Sequence, residues 1–243
     1  SILNKGTSRW TNYYIEGINW LAKNNFIDGL YLDDIAFSRG TVKRIANVLS
    51  ENRGSFVIDL HSANQFNIRD GFINSALLYM EHFPFVSRLW FGEYFEYDRE
   101  PDYWMTEVSG IPFGLTGEML EKGGRPYHGL IYGMTTRVYH NYNPGNLWKL
   151  FKDFNINESR MIGYWVDYIP IKVNNDRIKC TIFQRNNKIL ISLASWSTKD
   201  EFIDLNIDWE AIDFNSSSSN LYSPEIKDLQ DLNKFNIGDQ IEI

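Results

Sequence analysis

DGLYLDDIAF at residues 28–37 is the stretch of sequence that decides the fold. An Asp-Gly turn leads into a short apolar run, and the run stops on two adjacent carboxylates, Asp33 and Asp34. Helical patterns stand before and after it. A buried parallel strand that presents acids at the mouth of an α/β barrel has this pattern. The stretch therefore predicts a parallel sheet with a functional site at the ends of its strands.

The segment before this strand has the spacing of an amphipathic helix over residues 8–24. Ser8 is its predicted N-cap, and its predicted apolar face runs from Trp10 to Leu21. The strand is predicted to begin at Phe26. A barrel that opens on a helix needs an earlier strand beside it, so we expect an N-terminal part of the domain upstream of this sequence.

The segment after the strand repeats the unit. A helix is predicted over residues 41–52, closed by a C-cap glycine, Gly54, and followed by a strand over 56–60 that leads to His61. Residues 72–83 are predicted as a helix, before a short apolar run that starts at Arg88 and ends on Glu93. Successive strand–helix units of this kind favour a parallel sheet.

Further elements complete the predicted barrel. We predict short helices over residues 115–120, 130–139 and 146–153, and a late barrel strand over 160–165. The fold class is therefore α/β, the C-terminal part of a TIM-like (β/α)8 barrel, and residues 1–168 form it.

The last part of the chain has a different pattern. Alternating strands at residues 178–184 and 188–195 flank a short turn, as in a β-hairpin. Further strands are predicted at 201–207 and 239–243. Residues 169–243 are therefore predicted to form a C-terminal antiparallel β-sandwich.

Composition narrows the class of partner. The net charge is −7, which disfavours nucleic acid and anionic membrane surfaces. The chain holds 8 Trp, 14 Tyr and 16 Phe, and many of the Trp and Tyr fall in predicted loops, which suits flat ligands with polar edges such as sugars. Filling of a large core explains the aromatic content equally well. The single cysteine, Cys180, rules out an internal disulfide and leaves the compartment open, a secreted or periplasmic bacterial location included. The sequence leaves the oligomeric state open.

Two strand ends carry the acids that a glycosidase needs. Glycoside hydrolysis uses two carboxyl groups, one ionised and one protonated near neutral pH. Asp33 stands beside Asp34 in a polar setting and suits a nucleophile. Glu93 stands among aromatic residues, where desolvation favours its protonated form and suits an acid/base. The alternative for each acid is a structural role, either as a helix cap or in an ion pair with an arginine such as Arg39 or Arg88.

Six further residues are predicted to bind substrate: Asp34, His61, Trp90, Tyr94, Glu118 and Arg137. Asp34 supports Asp33, and His61 ends the neighbouring strand. Glu118 is the reserve candidate for the acid. Arg137 suits a clamp on a substrate hydroxyl or carboxylate, or a structural ion pair. A divalent metal bound by Asp33, Asp34, His61 and Glu93 is an alternative. No metal-ligand spacing supports it, so we predict neither a metal nor a cofactor.

Four segments together resemble large bacterial proteins related to glycoside hydrolase family 123: residues 28–37, 90–93, 109–114 and 193–196. The resemblance extends from about Arg9 to Ile243. It implies a (β/α)8 catalytic barrel followed by a β-sandwich. The leading strand also resembles the nucleophile-bearing strand of retaining glycosidases that act on α-linked galactose or galactosamine, which matches Asp33. Family 123 enzymes use an adjacent Asp-Glu pair in substrate-assisted catalysis, where this chain has Asp33-Asp34.

The sequence thus predicts hydrolysis of a glycosidic bond in an oligo- or polysaccharide. A retaining mechanism with Asp33 and Glu93 is favoured, and an inverting one stays open. The alternative is a carbohydrate-binding or degenerate barrel that keeps the aromatic surface and lacks the chemistry.

Overall fold

The computed structural model describes residues 8–33, 37–61, 80–91, 99–101, 115–117, 126–134 and 144–243. The chain divides into two compact units, residues Ser1–Glu118 and Met119–Ile243. The predicted domain boundary at residue 168 stays a prediction.

The first unit opens with helix α1, Arg9–Asn24, which Ser8 caps as predicted by accepting a hydrogen bond from the backbone N–H of Thr11 at 3.0 Å. The predicted apolar face, Trp10, Tyr14, Ile18 and Leu21, is confirmed at Ile18 and was wrong by one position at the other three. The buried residues are Thr11, Ile15, Ile18 and Ala22, whereas Trp10 is 64% exposed. The buried residues follow the helical period. The prediction was wrong because it placed the large apolar side chain of Trp10 in the core.

Strand β1, Gly29–Asp33, starts three residues later than predicted. Phe26 has a positive φ of 56°, which a strand does not allow, and its exposed ring lies under the Arg53 guanidinium. Helix α2, Arg39–Arg53, follows as predicted, capped by Ser38 at one end and by Gly54 in the left-handed conformation at the other.

Three further strands complete the sheet of this unit: β2, Val57–His61; β3, Arg88–Phe91; and β4, Leu115–Gly117. The order is β1-β2-β3-β4, and each neighbouring pair is parallel. The predicted parallel sheet is confirmed over these strands. The helix predicted at residues 115–120 was wrong at its start, because residues 115–117 pair with β3.

Between β2 and β3, residues Met80–Phe85 form a 3₁₀ segment that contains Pro84. The helix predicted at residues 72–83 lies mostly outside the described residues. Where it is described, the backbone forms 3₁₀ turns instead of an α-helix, and Pro84, which has no N–H to donate, lies inside them.

The core of the first unit lies between one face of the sheet and the two helices. Leu32, Ile58 and Leu60 of the sheet pack against the buried faces of α1 and α2. Ile58 and Leu60 are fully buried. Side chains alternate along a strand, so the residues between these three lie on the opposite face.

The second unit begins with two helices, α3, Pro126–Ile131, and α4, Gly145–Phe154. The predicted helix at 146–153 is confirmed. The helix predicted at 130–139 lies partly outside the described residues, and α3 ends at Ile131, before Gly133 adopts a positive φ of 71°.

The second unit is built on a three-stranded antiparallel sheet: β5, Arg160–Ile162; β7, Ile178–Arg185; and β8, Lys188–Ser195. The predicted hairpin is confirmed, with Arg185 opposite Lys188 across a two-residue turn. The prediction of a barrel strand at 160–165 was wrong. β5 pairs antiparallel with β7, which buries Ile162 against Ile182.

Short two-stranded pairs complete the unit: β6, Ile171–Val173, with β10, Leu205–Ile207; β9, Phe202–Ile203, with β13, Ile241–Glu242; and β11, Leu221–Ser223, with β12, Asn233–Phe235. The single strand predicted at 201–207 is therefore two strands with different partners. The antiparallel pattern is confirmed.

Candidate active site

The register of β1 on β2 depends on one glycine. Gly29 lies opposite Val57, and a Cβ added to Gly29 would be 2.1 Å from the Val57 carbonyl oxygen. Only glycine permits this approach of the two backbones. The turn pair Asp28-Gly29 therefore sets the pairing of every later residue on β1.

This register aligns the strand ends. Asp33, the last residue of β1, lies opposite His61, the last residue of β2, and His61 lies opposite Trp90 on β3. Trp90 lies opposite Thr116 on β4. We call these four register positions, Asp33, His61, Trp90 and Thr116, the site row. Three of the predicted site residues therefore stand in one line at the C-terminal edge of a parallel sheet.

Asp33, the first position of the site row, lies on the face of the sheet opposite the helices. Leu32 is buried among the helix side chains, and the neighbouring Asp33 is exposed on the other side of the strand. Tyr31, two residues earlier on the same face, is 44% exposed. An acid at the C-terminal end of a parallel strand, facing away from the helices, has the placement of catalytic carboxylates in TIM-barrel domains.

A second line of polar residues lies one step down the same face. Asp59 lies opposite Tyr31 on one side and opposite Arg88 on the other. Arg88 donates from Nε to Asp59 Oδ2 at 3.0 Å, and a terminal guanidinium nitrogen donates to the same oxygen. We call Tyr31, Asp59 and Arg88 the charged row. The side chain of Arg88 is 43% exposed, whereas that of Asp59 is 16% exposed.

The other carboxylate oxygen of Asp59, Oδ1, is buried and receives no hydrogen bond from the residues that the structure describes. A buried oxygen with negative charge and no donor is costly, and such atoms stand out at functional sites. The sequence signal for this row was the two-residue period counted back from Asp33 and His61. Arg88 was predicted only as an alternative ion-pair partner for a catalytic acid.

Arg39 and Arg88, the two arginines considered as ion-pair partners of the acids, each contact another described residue. Arg88 pairs with Asp59, and the Arg39 guanidinium lies 5.2 Å from the centroid of the Phe85 ring.

The remaining predicted site residues lie outside the described residues: Asp34, Glu93, Tyr94, Glu118 and Arg137. Their places in the sequence relate them to the sheet. Glu93 follows the last residue of β3 by two positions, and Glu118 directly follows the last residue of β4.

The described part of the chain lacks two further features. No three His, Cys, Asp or Glu side chains in it are grouped as metal ligands would be. No helix in these ranges has both the length and the apolar character needed to cross a bilayer.

Comparison with protein families assigns the whole chain. Residues 1–139 match the glycoside hydrolase 123 TIM-barrel domain, which is more than half of the chain. The chain belongs to glycoside hydrolase family 123. Residues 143–243 match the C-terminal domain of the same family. Neither the curated proteins nor the solved structures compared with the chain give a match.

Membership in family 123 confirms the predicted relationship and accounts for the two-part organisation, a TIM-barrel domain followed by a C-terminal domain. It supports a glycosidase that acts on carbohydrate. The parallel sheet with the site row lies within the residues that match the TIM-barrel domain.

Proposed function

We propose that this family 123 chain hydrolyses a glycosidic bond in an oligo- or polysaccharide, with Asp33 as nucleophile and Glu93 as acid/base. The observation that carries the proposal is the place of Asp33. It ends β1 on the face opposite the helices, in register with His61 and Trp90.

The strand order supports Glu93 over Glu118 as partner. Neighbouring strands lie about 4.8 Å apart, so β3 is roughly 10 Å from β1 and β4 roughly 14 Å from it. Two carboxylate side chains that lean towards each other shorten the first distance towards the separation of about 5–5.5 Å that retaining glycosidases use. The second distance exceeds that range in a flat sheet. We therefore assign the acid to the residue that follows β3.

In the proposed retaining mechanism, an Asp33 carboxylate oxygen attacks the anomeric carbon while Glu93 gives its proton to the leaving oxygen. The bond from Asp33 to carbon forms as the glycosidic bond breaks. Water then attacks the anomeric carbon, gives a proton to Glu93 and releases Asp33. His61 and Trp90, the next positions of the site row, are proposed to contact the sugar, together with Asp34, Tyr94 and Arg137.

The finer architecture is part of the same proposal. The four parallel strands follow one another in both sequence and space, as consecutive strands of a (β/α)8 barrel do. We propose that they belong to such a barrel and that the antiparallel pairs of the second unit form a β-sandwich. Alternation of buried and half-buried residues on β8 supports two packed layers.

The test is hydrolysis of a panel of nitrophenyl glycosides by the purified protein and by Asp33→Asn, Glu93→Gln and Glu118→Gln. Loss of a catalytic acid or base costs about 10²–10⁴-fold in rate. We expect losses of this size for Asp33→Asn and Glu93→Gln, and a smaller loss for Glu118→Gln. Equal activity of Asp33→Asn and the parent protein would remove Asp33 from the mechanism.

A second comparison tests the nucleophile itself. Each sugar is offered with a 2-hydroxyl or with a 2-acetamido group. If Asp33 is the nucleophile, 2-hydroxyl substrates are cleaved, and azide restores turnover to Asp33→Gly by taking the place of the carboxylate. Cleavage confined to 2-acetamido substrates, with no azide rescue, would assign the nucleophile to the substrate.

A further inference from the structure

The second unit carries a hollow of about 390 Å³ that neither the family assignment nor the proposed mechanism uses. Its lining is mixed: two aromatic rings, two carboxylates and one amide, from Trp209, Glu210, Asp213, Phe214 and Asn215. The volume lies in the range of small-molecule sites, about 300–1,000 Å³. The hollow is open to solvent, and all five lining residues come from a single turn of the chain.

The start of this turn is held by Asp208. Its Oδ1 accepts a hydrogen bond from the Ala211 backbone N–H at 3.0 Å, in the manner of a helix N-cap. Its Oδ2 accepts a hydrogen bond from the Tyr168 hydroxyl, which lowers the pKa of the Asp208 carboxyl. Tyr168 is 53% exposed, so an aromatic ring adjoins the turn that forms the hollow.

The end of the turn is equally well defined. The Asp213 N–H donates to the Glu210 carbonyl and the Phe214 N–H donates to the Trp209 carbonyl, both at 3.1 Å. Asp213 has a φ of 57°, in the left-handed region that favours glycine. This pair of hydrogen bonds is the Schellman motif of helix C-termini. Aspartate tolerates this region better than most residues other than glycine, and Asp213 is one of the residues that line the hollow.

The turn is also anchored to the core. Ile212 is 2% exposed, and its carbonyl accepts a hydrogen bond from Gln184 Nε2 at 3.1 Å. Gln184 belongs to β7, the central strand of the antiparallel sheet. The lining side chains therefore stand on a rigid support, which reduces the entropy lost when a ligand binds.

We propose that this hollow is a glycan-binding site, with the pyranose ring against Trp209 or Phe214 and its hydroxyls donating to Glu210 and Asp213. Pyranoses present C–H groups on their faces and hydroxyls around their edges, and aromatic rings beside carboxylates match both features. The ligand class rests on the proposed glycosidase function. Binding here holds a polysaccharide on the protein and is separate from bond cleavage.

The charge of the site restricts the glycan. Asp208, Glu210 and Asp213 give this turn three carboxylates within six residues. Like charges repel uronic acids and sulfated sugars, so the site selects neutral or amino sugars.

The competing explanation is structural. A hydrophobic contact commonly accompanies the Schellman motif and would by itself bring Phe214 close to Trp209. A purely structural pair predicts that Trp209 and Phe214 affect stability and leave polysaccharide binding unchanged. Variants at Asp213 separate the two explanations, because the carboxylate has no part in that contact.

The test is affinity electrophoresis of the full chain carrying Asp33→Asn, which removes turnover, through gels that hold glucomannan, arabinogalactan or polygalacturonate. We expect at least one neutral polymer to retard the protein and polygalacturonate to leave it unretarded. Trp209→Ala should weaken retardation by about tenfold or more. Tyr222→Ala, which removes an aromatic ring that is 57% exposed in the same unit, is the matched control and should leave retardation unchanged.

Asp213→Gly provides a second test of glycan binding if Trp209→Ala fails to fold. Glycine suits a φ of 57°, so this variant keeps the turn and removes only the carboxylate. We expect it to fold at least as stably as the parent and to bind the neutral polymer several-fold more weakly. Asp213→Asn, which also tolerates this backbone, should weaken binding less because an amide oxygen remains.

Three outcomes would overturn the proposal: no neutral polymer retards the protein, folded Trp209→Ala is retarded as strongly as its parent, or Asp213→Gly binds unchanged. With Asp33 intact, Trp209→Ala should keep the parent's kcat/KM on small nitrophenyl glycosides. If the glycosidase proposal fails, the protein with Asp33 intact will not hydrolyse the nitrophenyl glycosides. Retardation in the gels is a separate measurement and does not depend on that result.

Discussion

The two units pair their strands in opposite ways. In the first unit every described strand pair is parallel, and a helix or a longer connection separates consecutive strands. In the second unit every strand pair among the described residues is antiparallel, and β7 and β8, the longest of these strands, are joined by a two-residue turn. Parallel pairing brings the C-terminal ends of all strands to one edge of the sheet, whereas antiparallel pairing alternates them between edges.

This difference explains where polar residues gather. On the parallel sheet, Asp33, His61 and Trp90 reach one edge although they are far apart in sequence. In the antiparallel unit, buried polar groups serve the core instead. Thr181 Oγ1 donates to the Ile131 carbonyl at 2.8 Å, and the ring of His128 stacks on Trp196. The proposed glycan site of the second unit is accordingly built from a turn rather than from strand ends.

The largest expected effect tests the two faces of the parallel sheet. Leu60→Ala removes a fully buried side chain from β2 and should lower the free energy of unfolding by about 2–5 kcal/mol. Val57→Ala on the same strand truncates a residue that is 51% exposed and should cost less than about 1 kcal/mol. Urea unfolding of both variants measures the difference. Equal costs would contradict the assignment of one packed and one open face.

The second prediction concerns the antiparallel core. Thr181→Val removes a fully buried hydroxyl that also accepts a hydrogen bond from the Tyr164 N–H at 3.3 Å. The Ile131 carbonyl loses its donor, so we expect a loss of about 1–3 kcal/mol in stability. Thr198→Val, on the surface, should change stability by less than about 0.5 kcal/mol.

Cys180, beside Thr181 on β7, provides a local readout of this second prediction. Burial raises the pKa of its thiol to about 12, so the folded thiol reacts very slowly with a labelling reagent. Reaction then requires opening of the strand. Thr181→Val should speed labelling by the factor that matches its loss of stability, and an unchanged rate would show that the hydroxyl does not stabilise this sheet.

Much of this arrangement was predictable because local signals were strong. Ser8 and Gly54 act as the predicted caps of their helices, and the turn between residues 185 and 188 closes the hairpin. Asp33 ends its strand as the apolar run indicated. In these places the hydrophobic period, the capping residues and the turn residues all indicate the same structure. Such agreement makes local structure predictable from sequence.

The wrong predictions concern segments that are very short or whose structure depends on a pairing partner elsewhere in the chain. β4 has three residues, too few to show a two-residue period, and was interpreted as a helix. The alternation of residues 201–207 continues across a break that only the pairing partners define. The Asp59–Arg88 pair depends on the register between strands, which no single segment encodes. The roles of Glu93, Asp34, Tyr94, Glu118 and Arg137 stay predictions.

A third prediction compares an ion pair in each unit. Asp59→Asn weakens the pair with Arg88, and because the Arg88 side chain is 43% exposed, we expect a cost of only about 1 kcal/mol. The charged row adjoins the site row, so kcat/KM should also fall several-fold. Asp153→Asn breaks the exposed pair with Lys149 in the second unit and should change neither quantity. Unchanged kcat/KM in Asp59→Asn would separate the charged row from substrate binding.

The smallest effect is a pH dependence that belongs to the first unit. His82 is 3% exposed, and burial lowers its pKa below the usual 6.5, with Arg39 acting in the same direction. The Glu81 carboxylate, whose Oε1 lies 3.6 Å from His82 Nε2, opposes the shift and keeps the effect modest. A histidine with a depressed folded pKa binds its proton more readily in the unfolded chain. Its contribution to stability is therefore present above about pH 6.5 and is lost as the pH falls below that value.

Urea unfolding at intervals between pH 8 and pH 5 measures this contribution, and two variants move it in opposite directions. His82→Gln removes the titrating group and should flatten the decline in the free energy of unfolding below about pH 6.5. Glu81→Gln removes the opposing charge and should steepen the decline. Since both residues lie in the 3₁₀ segment before β3, an equal slope in all three proteins would mean that the acid sensitivity originates elsewhere in the chain.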